Sequence, residues 1–169
     1  MNYFELYEIP ESFHLDASLI KKKFYALSRS YHPDFHSNAN EADQQEVLEK
    51  SALINKAFKV FNNADETIKY LLQLKGLLAD EEKYSLPPDF LMEVMELNEE
   101  LMEAKMEENI EMLTRLKKQI TNLETSIYEP VKEIMATYQA DRTTEKELLQ
   151  VKEYYYKKKY LGRILASIH

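Results

Sequence analysis

The chain contains no cysteine, and only two of its 169 residues are glycine and five are proline. Without cysteine it can form no disulfide framework, hold no iron–sulfur cluster or zinc finger through its own thiolates, and offer no thiol nucleophile. Parallel α/β folds and all-β folds use glycine at many turns, so its scarcity argues against both. We therefore expect an all-α fold built from long helices.

Basic charge and long apolar runs are also scarce. The chain has 22 Lys and Arg against 30 Asp and Glu, a net charge of -8, which argues against nucleic-acid binding because phosphate contacts need clustered cations. No stretch approaches the ~18–20 consecutive apolar residues of a membrane span. The N-terminal segment is acidic and lacks the apolar core of a signal peptide. These features predict a cytoplasmic protein with no membrane or nucleic-acid partner.

Strong helix breakers are few, and they divide the chain into two parts. Gly76 is placed as the residue that ends a helix, and Pro87–Pro88 is the strongest break in the chain. We therefore predict a first domain over residues 1–76, a linker over 77–88 and a second domain over 89–169.

The first domain has the pattern of an antiparallel helical hairpin with short flanking helices. Asp16 is the expected N-cap of a helix over residues 17–31, whose apolar stripe leaves Lys22 and Arg29 on the outside. A second amphipathic helix is expected over about 41–61. Its predicted buried side comprises Leu48, Ala52, Asn55, Phe58 and Phe61.

The loop between these helices would place His32, Pro33 and Asp34 at an exposed tip, where a rigid polar tripeptide can contact a partner. A catalytic pair of His32 and Asp34 would lack a serine or cysteine nucleophile beside it. His32 and His36 have the i, i+4 spacing of metal ligands, but Pro33 prevents a shared helix. Ordinary turn chemistry is the remaining alternative. We predict no catalytic residue and no metal ligand here.

A basic helix that ends in Tyr-His-Pro-Asp and is followed by a polar loop and an antiparallel helix resembles a J-domain. J-domains dock on DnaK-type heat-shock ATPases and stimulate their ATP hydrolysis. The resemblance implies that His32, Pro33 and Asp34, together with Lys22 and Arg29, form a chaperone-docking surface.

The basic helix departs from the J-domain pattern at two places. Tyr25 and Ala26 occupy a stretch where many J-domains carry further cations, and Phe35 stands where a basic residue often follows the tripeptide. The resemblance therefore implies docking that depends less on charge, or that is tuned to a dedicated chaperone.

The sequence of the second domain predicts an antiparallel bundle of three helices. The first helix, with Asp89 as its expected N-cap, has two opposite stripes. The stripe expected to face the core comprises Phe90, Val94, Leu97 and Leu101. The other stripe mixes methionines with carboxylates and comprises Met92, Met95, Glu96, Glu99, Met102 and Glu103. An exposed apolar stripe bordered by charge is typical of a partner-binding surface, whereas a methionine-rich core or a coiled-coil dimer is the structural alternative.

The other two helices of the bundle are expected over about 108–138, with a kink or break at Pro130, and over about 143–168. The last helix contains three consecutive tyrosines, 154–156. Because neighbouring residues of a helix point in different directions, at least one of these rings must face away from the core.

Three segments carry a narrower resemblance: residues 54–58 (INKAF), 70–76 (YLLQLKG) and 88–97 (PDFLMEVMEL). In this order they resemble the HscB family, co-chaperones of iron–sulfur cluster assembly with an N-terminal J-domain and a C-terminal helical bundle. The resemblance implies that an IscU-type scaffold protein binds the bundle. The matching positions are Leu91, Met92, Met95, Glu96, Glu99 and Glu103. It also implies an aromatic contact at Tyr156, although the register leaves Tyr154 and Tyr155 open.

We therefore expect an adaptor without a cofactor rather than an enzyme, since no nucleophile, base and pocket converge in the sequence. It would bind the scaffold, deliver it to an HscA/DnaK-type chaperone and stimulate that chaperone's ATPase. A general J-domain co-chaperone for other clients is the main alternative, although this chain has neither a Gly/Phe-rich linker nor zinc-binding cysteine repeats. A structural helical protein with an accidental His-Pro-Asp is the other alternative.

Overall fold

The computed structural model describes residues 1–166, whose regular secondary structure is helical with no strand. The helices are α1 Tyr3–Leu6, α2 Ala17–Ser30, α3 Glu41–Phe61, α4 Ala64–Leu74, α5 Pro88–Met106, α6 Ile110–Tyr128, α7 Lys132–Ala136 and α8 Glu145–Ala166. Two 3₁₀ turns cover Pro33–His36 and Glu129–Val131. The all-α fold class predicted from the sequence is confirmed. Among the helices of this range, none has the length and apolar character needed to cross a membrane.

The chain forms two compact units. The first comprises Met1–Lys75 and Tyr138–Arg142, and the second comprises Gly76–Thr137 and the described chain from Thr143. The functional boundaries expected from the sequence, 1–76, 77–88 and 89–169, stay a prediction. Residues 167–169, including the predicted end of the last helix at Ile168, lie outside the described residues.

In the first unit α2 and α3 pack together as the predicted hairpin. Asp16 caps α2, since its side chain accepts a hydrogen bond from the Ser18 backbone N–H at 2.9 Å. The core includes Tyr7, which is fully buried and whose hydroxyl donates to the Ile54 carbonyl at 2.8 Å. Burial raises the pKa of Tyr7 well above its ordinary value, so the neutral phenol holds this bond at physiological pH.

The prediction of which residues α3 buries is wrong. Leu48 is 50% exposed, and Ala52 and Asn55 are also exposed. The buried residues are Val47, Ile54, Ala57 and Phe61. This stripe is entirely apolar, whereas the predicted stripe would have buried the Asn55 amide, which costs free energy unless it is hydrogen-bonded. From the predicted set Phe61 is buried, and Phe58 is half-buried and stacks on Phe24 of α2 with ring centroids 4.0 Å apart.

In the second unit two further predictions are wrong, the N-cap at Asp89 and the single helix over 108–138. Asp89 is not an N-cap: α5 begins at Pro88 after Pro87 and has no side-chain cap. Proline suits the first helical position because its missing N–H would have no partner there, and Asp89 in the first turn still interacts favourably with the helix dipole.

A single helix over 108–138 is not formed. The chain breaks at Pro130, as predicted, through the 3₁₀ turn Glu129–Val131, and α7 then ends at Ala136. Tyr138, predicted to end the apolar stripe of that helix, instead belongs to the first unit. There its ring meets the Phe13 ring edge-on at 5.1 Å, and its hydroxyl donates to Glu11 at 3.0 Å.

The core of the second unit lies where α6 packs against α5 and α8. Leu101 and Ala104 of α5 are buried against Leu116 and Ile120 of α6, and Leu97 packs half-buried at the edge of this cluster. The short connection at residues 107–109 reverses the chain between α5 and α6. One face of α5 is thereby committed to the core, which leaves its opposite face outside.

Candidate partner-binding surfaces

His32, Pro33 and Asp34 form the tip of the α2–α3 hairpin, with His32 and Asp34 exposed. Pro33 begins the 3₁₀ turn, and His32 caps it: its Nδ1 accepts a hydrogen bond from the Asp34 backbone N–H at 3.2 Å. The Asp34 carboxylate lies 3.6 Å from the same nitrogen, and the Nε2 edge of the exposed His32 ring remains for a partner.

Two side chains hold the loop that carries this tip. The His36 Nε2 lies 2.9 Å from the Ser30 carbonyl at the end of α2, so this nitrogen must be the donor. The Gln44 amide of α3 donates to the carbonyls of Ser37 and Ala39 at 2.9 and 3.1 Å. His36 therefore has a structural role in closing the loop, which sequence reasoning missed when it considered this residue only as a metal ligand.

Lys22 and Arg29 are exposed on α2 and lie seven residues apart, on the same face of the helix. Within residues 1–166 neither cation has an ion-pair or hydrogen-bond partner. Tyr25 lies between them and is also largely exposed. This face therefore presents two uncompensated charges and an aromatic ring, and Arg29 lies in the last turn before the His-Pro-Asp tip.

The second surface is the exposed stripe of α5. Met92 is 62% exposed and Met95 is 55% exposed, whereas Val94 between them is fully buried. The remaining members of the stripe, also exposed, are Glu96, Glu99, Met102 and Glu103. The alternative of a methionine-rich core, in which both faces of α5 would be buried, therefore does not hold for the second unit by itself. We call this exposed surface of α5 the Met–Glu stripe.

Burial distinguishes the three consecutive tyrosines. Tyr154 and Tyr155 are buried, whereas Tyr156 is half-buried and lines a groove together with half-buried Leu91. Of the predicted scaffold contacts, Leu91 and Tyr156 are thus brought together although 65 residues separate them in the sequence.

Tyr156 is held in place by residues that sequence reasoning missed. Its ring stacks on the Tyr84 ring with centroids 4.4 Å apart and planes within 8°. Its hydroxyl donates to Glu82 at 3.0 Å, and the same carboxylate pairs with Lys152 at 2.9 Å. Desolvation by burial raises the pKa of Tyr156 well above its ordinary value. Glu82 and Tyr84 lie in a segment that was predicted to be a linker. Helix periodicity does not extend from this segment to α8, so no sequence signal could identify these contacts.

The Glu82 ion pair predicts a pH-dependent stability. The hydrogen bond from Lys152 lowers the pKa of Glu82 below its ordinary value, so Glu82 stabilises the fold above the unfolded-state pKa of about 4.3. This contribution is lost as pH falls through the folded-state pKa. We expect Glu82→Gln to lower the melting temperature at pH 7 and to reduce the further loss between pH 6 and pH 3.

Thermal melts across this pH range test the expectation, with Glu153→Gln as the matched control. Glu153 lies on the same unit and is only loosely paired, 3.8 Å from Lys157, so its variant should follow the wild-type profile. A Glu82→Gln profile parallel to that of the wild type would contradict the assignment.

Comparison with known proteins identifies the family. Residues 86–169 match the family model described as the HSCB C-terminal oligomerisation domain. A co-chaperone protein HscB homolog from Neisseria gonorrhoeae is 31% identical over 144 residues, which cover 85% of this chain and 87% of that protein. The chain belongs to the HscB co-chaperone family. A Vibrio cholerae HscB homolog is 42% identical over 102 residues, and this match spans 60% of the length of that relative.

Solved HscB structures extend the likeness to the whole described fold. Chaperone HscB from Vibrio cholerae has a TM-score of 0.80 at 30% identity, covering 99% of this chain and 95% of that one. Human co-chaperone protein HscB has a TM-score of 0.77 at 25% identity, covering 99% and 80%. The prediction of a J-domain followed by a C-terminal helical bundle is thereby confirmed.

Proposed function

We propose that this co-chaperone binds an IscU-type iron–sulfur scaffold protein, delivers it to an HscA/DnaK-type chaperone and stimulates that chaperone's ATPase. Membership of the HscB family supports the co-chaperone role. The observation that carries the finer proposal is the exposure of Met92 and Met95 among carboxylates, at the positions where the family resemblance implies scaffold binding.

The scaffold would bind the Met–Glu stripe and its neighbours. Methionine side chains are flexible and polarisable, so they adapt to the shape of a partner. The glutamates beside them would favour a basic surface on the scaffold and reject an acidic one. The proposed contacts are Leu91, Met92, Met95, Glu96, Glu99, Glu103 and Tyr156.

The chaperone would bind the hairpin tip and the basic face of α2. The proposed contacts are His32, Pro33, Asp34, Lys22 and Arg29. The ATP chemistry belongs to the chaperone, and docking acts as a coupling free energy that favours the state in which the chaperone hydrolyses ATP and holds its client. Because one chain carries both surfaces, a bound scaffold is present at a raised effective concentration next to the docked chaperone.

A paired experiment tests this function on the full chain. Calorimetric titration measures scaffold binding, and steady-state ATP hydrolysis by the chaperone measures stimulation with and without scaffold. We expect binding, stimulation, and further stimulation when the scaffold is present. Stimulation without scaffold affinity would instead indicate the alternative, a J-domain co-chaperone for other clients. A chain with neither property would overturn the proposal.

The basic face of α2 gives a salt-dependent prediction. Lys22→Ala combined with Arg29→Ala should weaken stimulation more at low than at high ionic strength, because exposed charges are screened beyond roughly 8–10 Å at physiological salt. Lys56→Ala combined with Lys59→Ala removes two exposed cations from α3 of the same unit and should have little effect. A loss that does not change with salt would assign a packing role to Lys22 and Arg29.

A further inference from the structure

A groove of about 490 Å³ lies in the second unit beside the Met–Glu stripe. One wall is formed by residues 82–86, and the other walls come from Leu91 of α5 and from Tyr156, Lys159 and Arg163 of α8. Leu91 and Tyr156 are proposed scaffold contacts. The groove is therefore continuous with the proposed scaffold surface.

The floor of the groove is apolar. Leu86, Leu91 and Tyr160 are half-buried there. Because the Tyr156 hydroxyl already donates to Glu82, this residue offers the groove its ring and not a free polar group. The floor can therefore receive the aliphatic or aromatic part of a peptide segment.

The rim of the groove is positively charged in a chain that is acidic overall. Lys159 and Arg163 are exposed, lie one turn apart on α8, and have no ion-pair partner within residues 1–166. The acidic residue that lines the groove does not neutralise them. Both oxygens of Glu82 are engaged, Oε1 by Lys152 at 2.9 Å and Oε2 by Tyr156 at 3.0 Å.

We propose that this groove receives a carboxylate-bearing segment of the same scaffold protein, and that Lys159 and Arg163 bind its carboxylates. The proposal rests on the scaffold-binding function argued above and refines it. The scaffold would present a basic patch to the glutamates of α5 and an acidic segment to α8, with Leu91 and Tyr156 at the boundary. Two adjacent patches of opposite sign define one orientation, because the reversed arrangement brings like charges together. The guanidinium of Arg163 can in addition bind a carboxylate through two parallel hydrogen bonds.

Calorimetric titration of the full chain with the scaffold, at low and physiological salt, tests the groove. Lys159→Glu combined with Arg163→Glu should bind at least about tenfold more weakly at low salt, and the loss should shrink as salt is added. Lys159→Gln combined with Arg163→Gln should lose less, because neutral groups do not repel carboxylates. The control Lys132→Glu combined with Lys146→Glu makes the same charge change at exposed sites of the same unit and should bind like the wild type.

The outcomes separate this inference from the function on which it rests. If both groove variants bind like the wild type while Met92→Ala binds weakly, the groove proposal is wrong and the scaffold function stands. If the wild-type chain does not bind the scaffold, both proposals fall. A loss of scaffold affinity that does not change with salt would overturn the proposal that the groove binds carboxylates. A sedimentation coefficient that differs between the groove variants and the wild type without scaffold would assign the groove to a second copy of this chain. If the double glutamate variant melts early, the scaffold affinity of the double glutamine variant decides whether Lys159 and Arg163 bind the scaffold.

Discussion

His32→Gln is expected to reduce stimulation of the chaperone ATPase to the basal level while leaving the fold intact. The side chain of His32 is exposed, and its one hydrogen bond within the described residues caps a 3₁₀ turn of four residues. Loss of a helix cap usually costs about 0.5–2 kcal/mol of the free energy of unfolding, and here only a single 3₁₀ turn loses its cap. The loop itself is held by His36 and Gln44, so its backbone should persist without the imidazole.

The measurement pairs chaperone ATP hydrolysis with a thermal melt of the same protein. His14→Gln is the matched control, because it makes the same chemical change at another exposed histidine of the first unit. That variant should stimulate like the wild type. If His32→Gln also stimulated normally, this tip would not be the chaperone-docking element. If it lost stimulation and melted early, the loss would reflect folding and not docking.

The elements that the sequence predicted well are those with strong local signals. Asp16 marks the start of α2 by the hydrogen bond that it accepts, Pro33 interrupts the helical path at the tip, and Gly76 adopts the positive φ of 72° expected of a helix-ending glycine. The His-Pro-Asp tip and the Met–Glu stripe were predictable for the same reason. Each needs only helix periodicity and nearby breakers to place its residues on an exposed surface.

The wrong prediction for α3 and the missed contacts of Tyr156 both concern choices made by tertiary packing. The sequence of α3 allows two stripes, and α3 buries the one containing Val47 and Ile54 because that stripe includes no polar group that would need a partner. The contact between Glu82 and Tyr156 joins residues 74 apart, which no local pattern can anticipate. Family resemblance supplied Tyr156, but only burial separates it from Tyr154 and Tyr155.

Met92→Ala and Leu101→Ala should have opposite effects although both lie on α5. Met92 is 62% exposed, so its truncation should leave the melting temperature nearly unchanged. Scaffold affinity should fall by about 1–3 kcal/mol, the cost of removing an interface hot spot. Leu101 is 4% exposed and packs against Leu116 and Ile120 of α6. Its truncation should cost about 2–5 kcal/mol of stability through the cavity that it leaves.

Each variant is measured by a thermal melt and by a scaffold titration, and the titration is run below the melting temperature of the less stable variant. The two measurements together show whether Met92 belongs to an interface or to a core. Leu97→Ala, at a half-buried position at the edge of the same cluster, should lose less stability than Leu101→Ala, because its site can relax towards solvent and leaves a smaller cavity. Folded Leu101→Ala should bind the scaffold like the wild type, since its side chain does not reach the Met–Glu stripe. Early melting of Met92→Ala together with unchanged affinity would make this face of α5 part of a core, and the scaffold would then have to bind elsewhere on the chain.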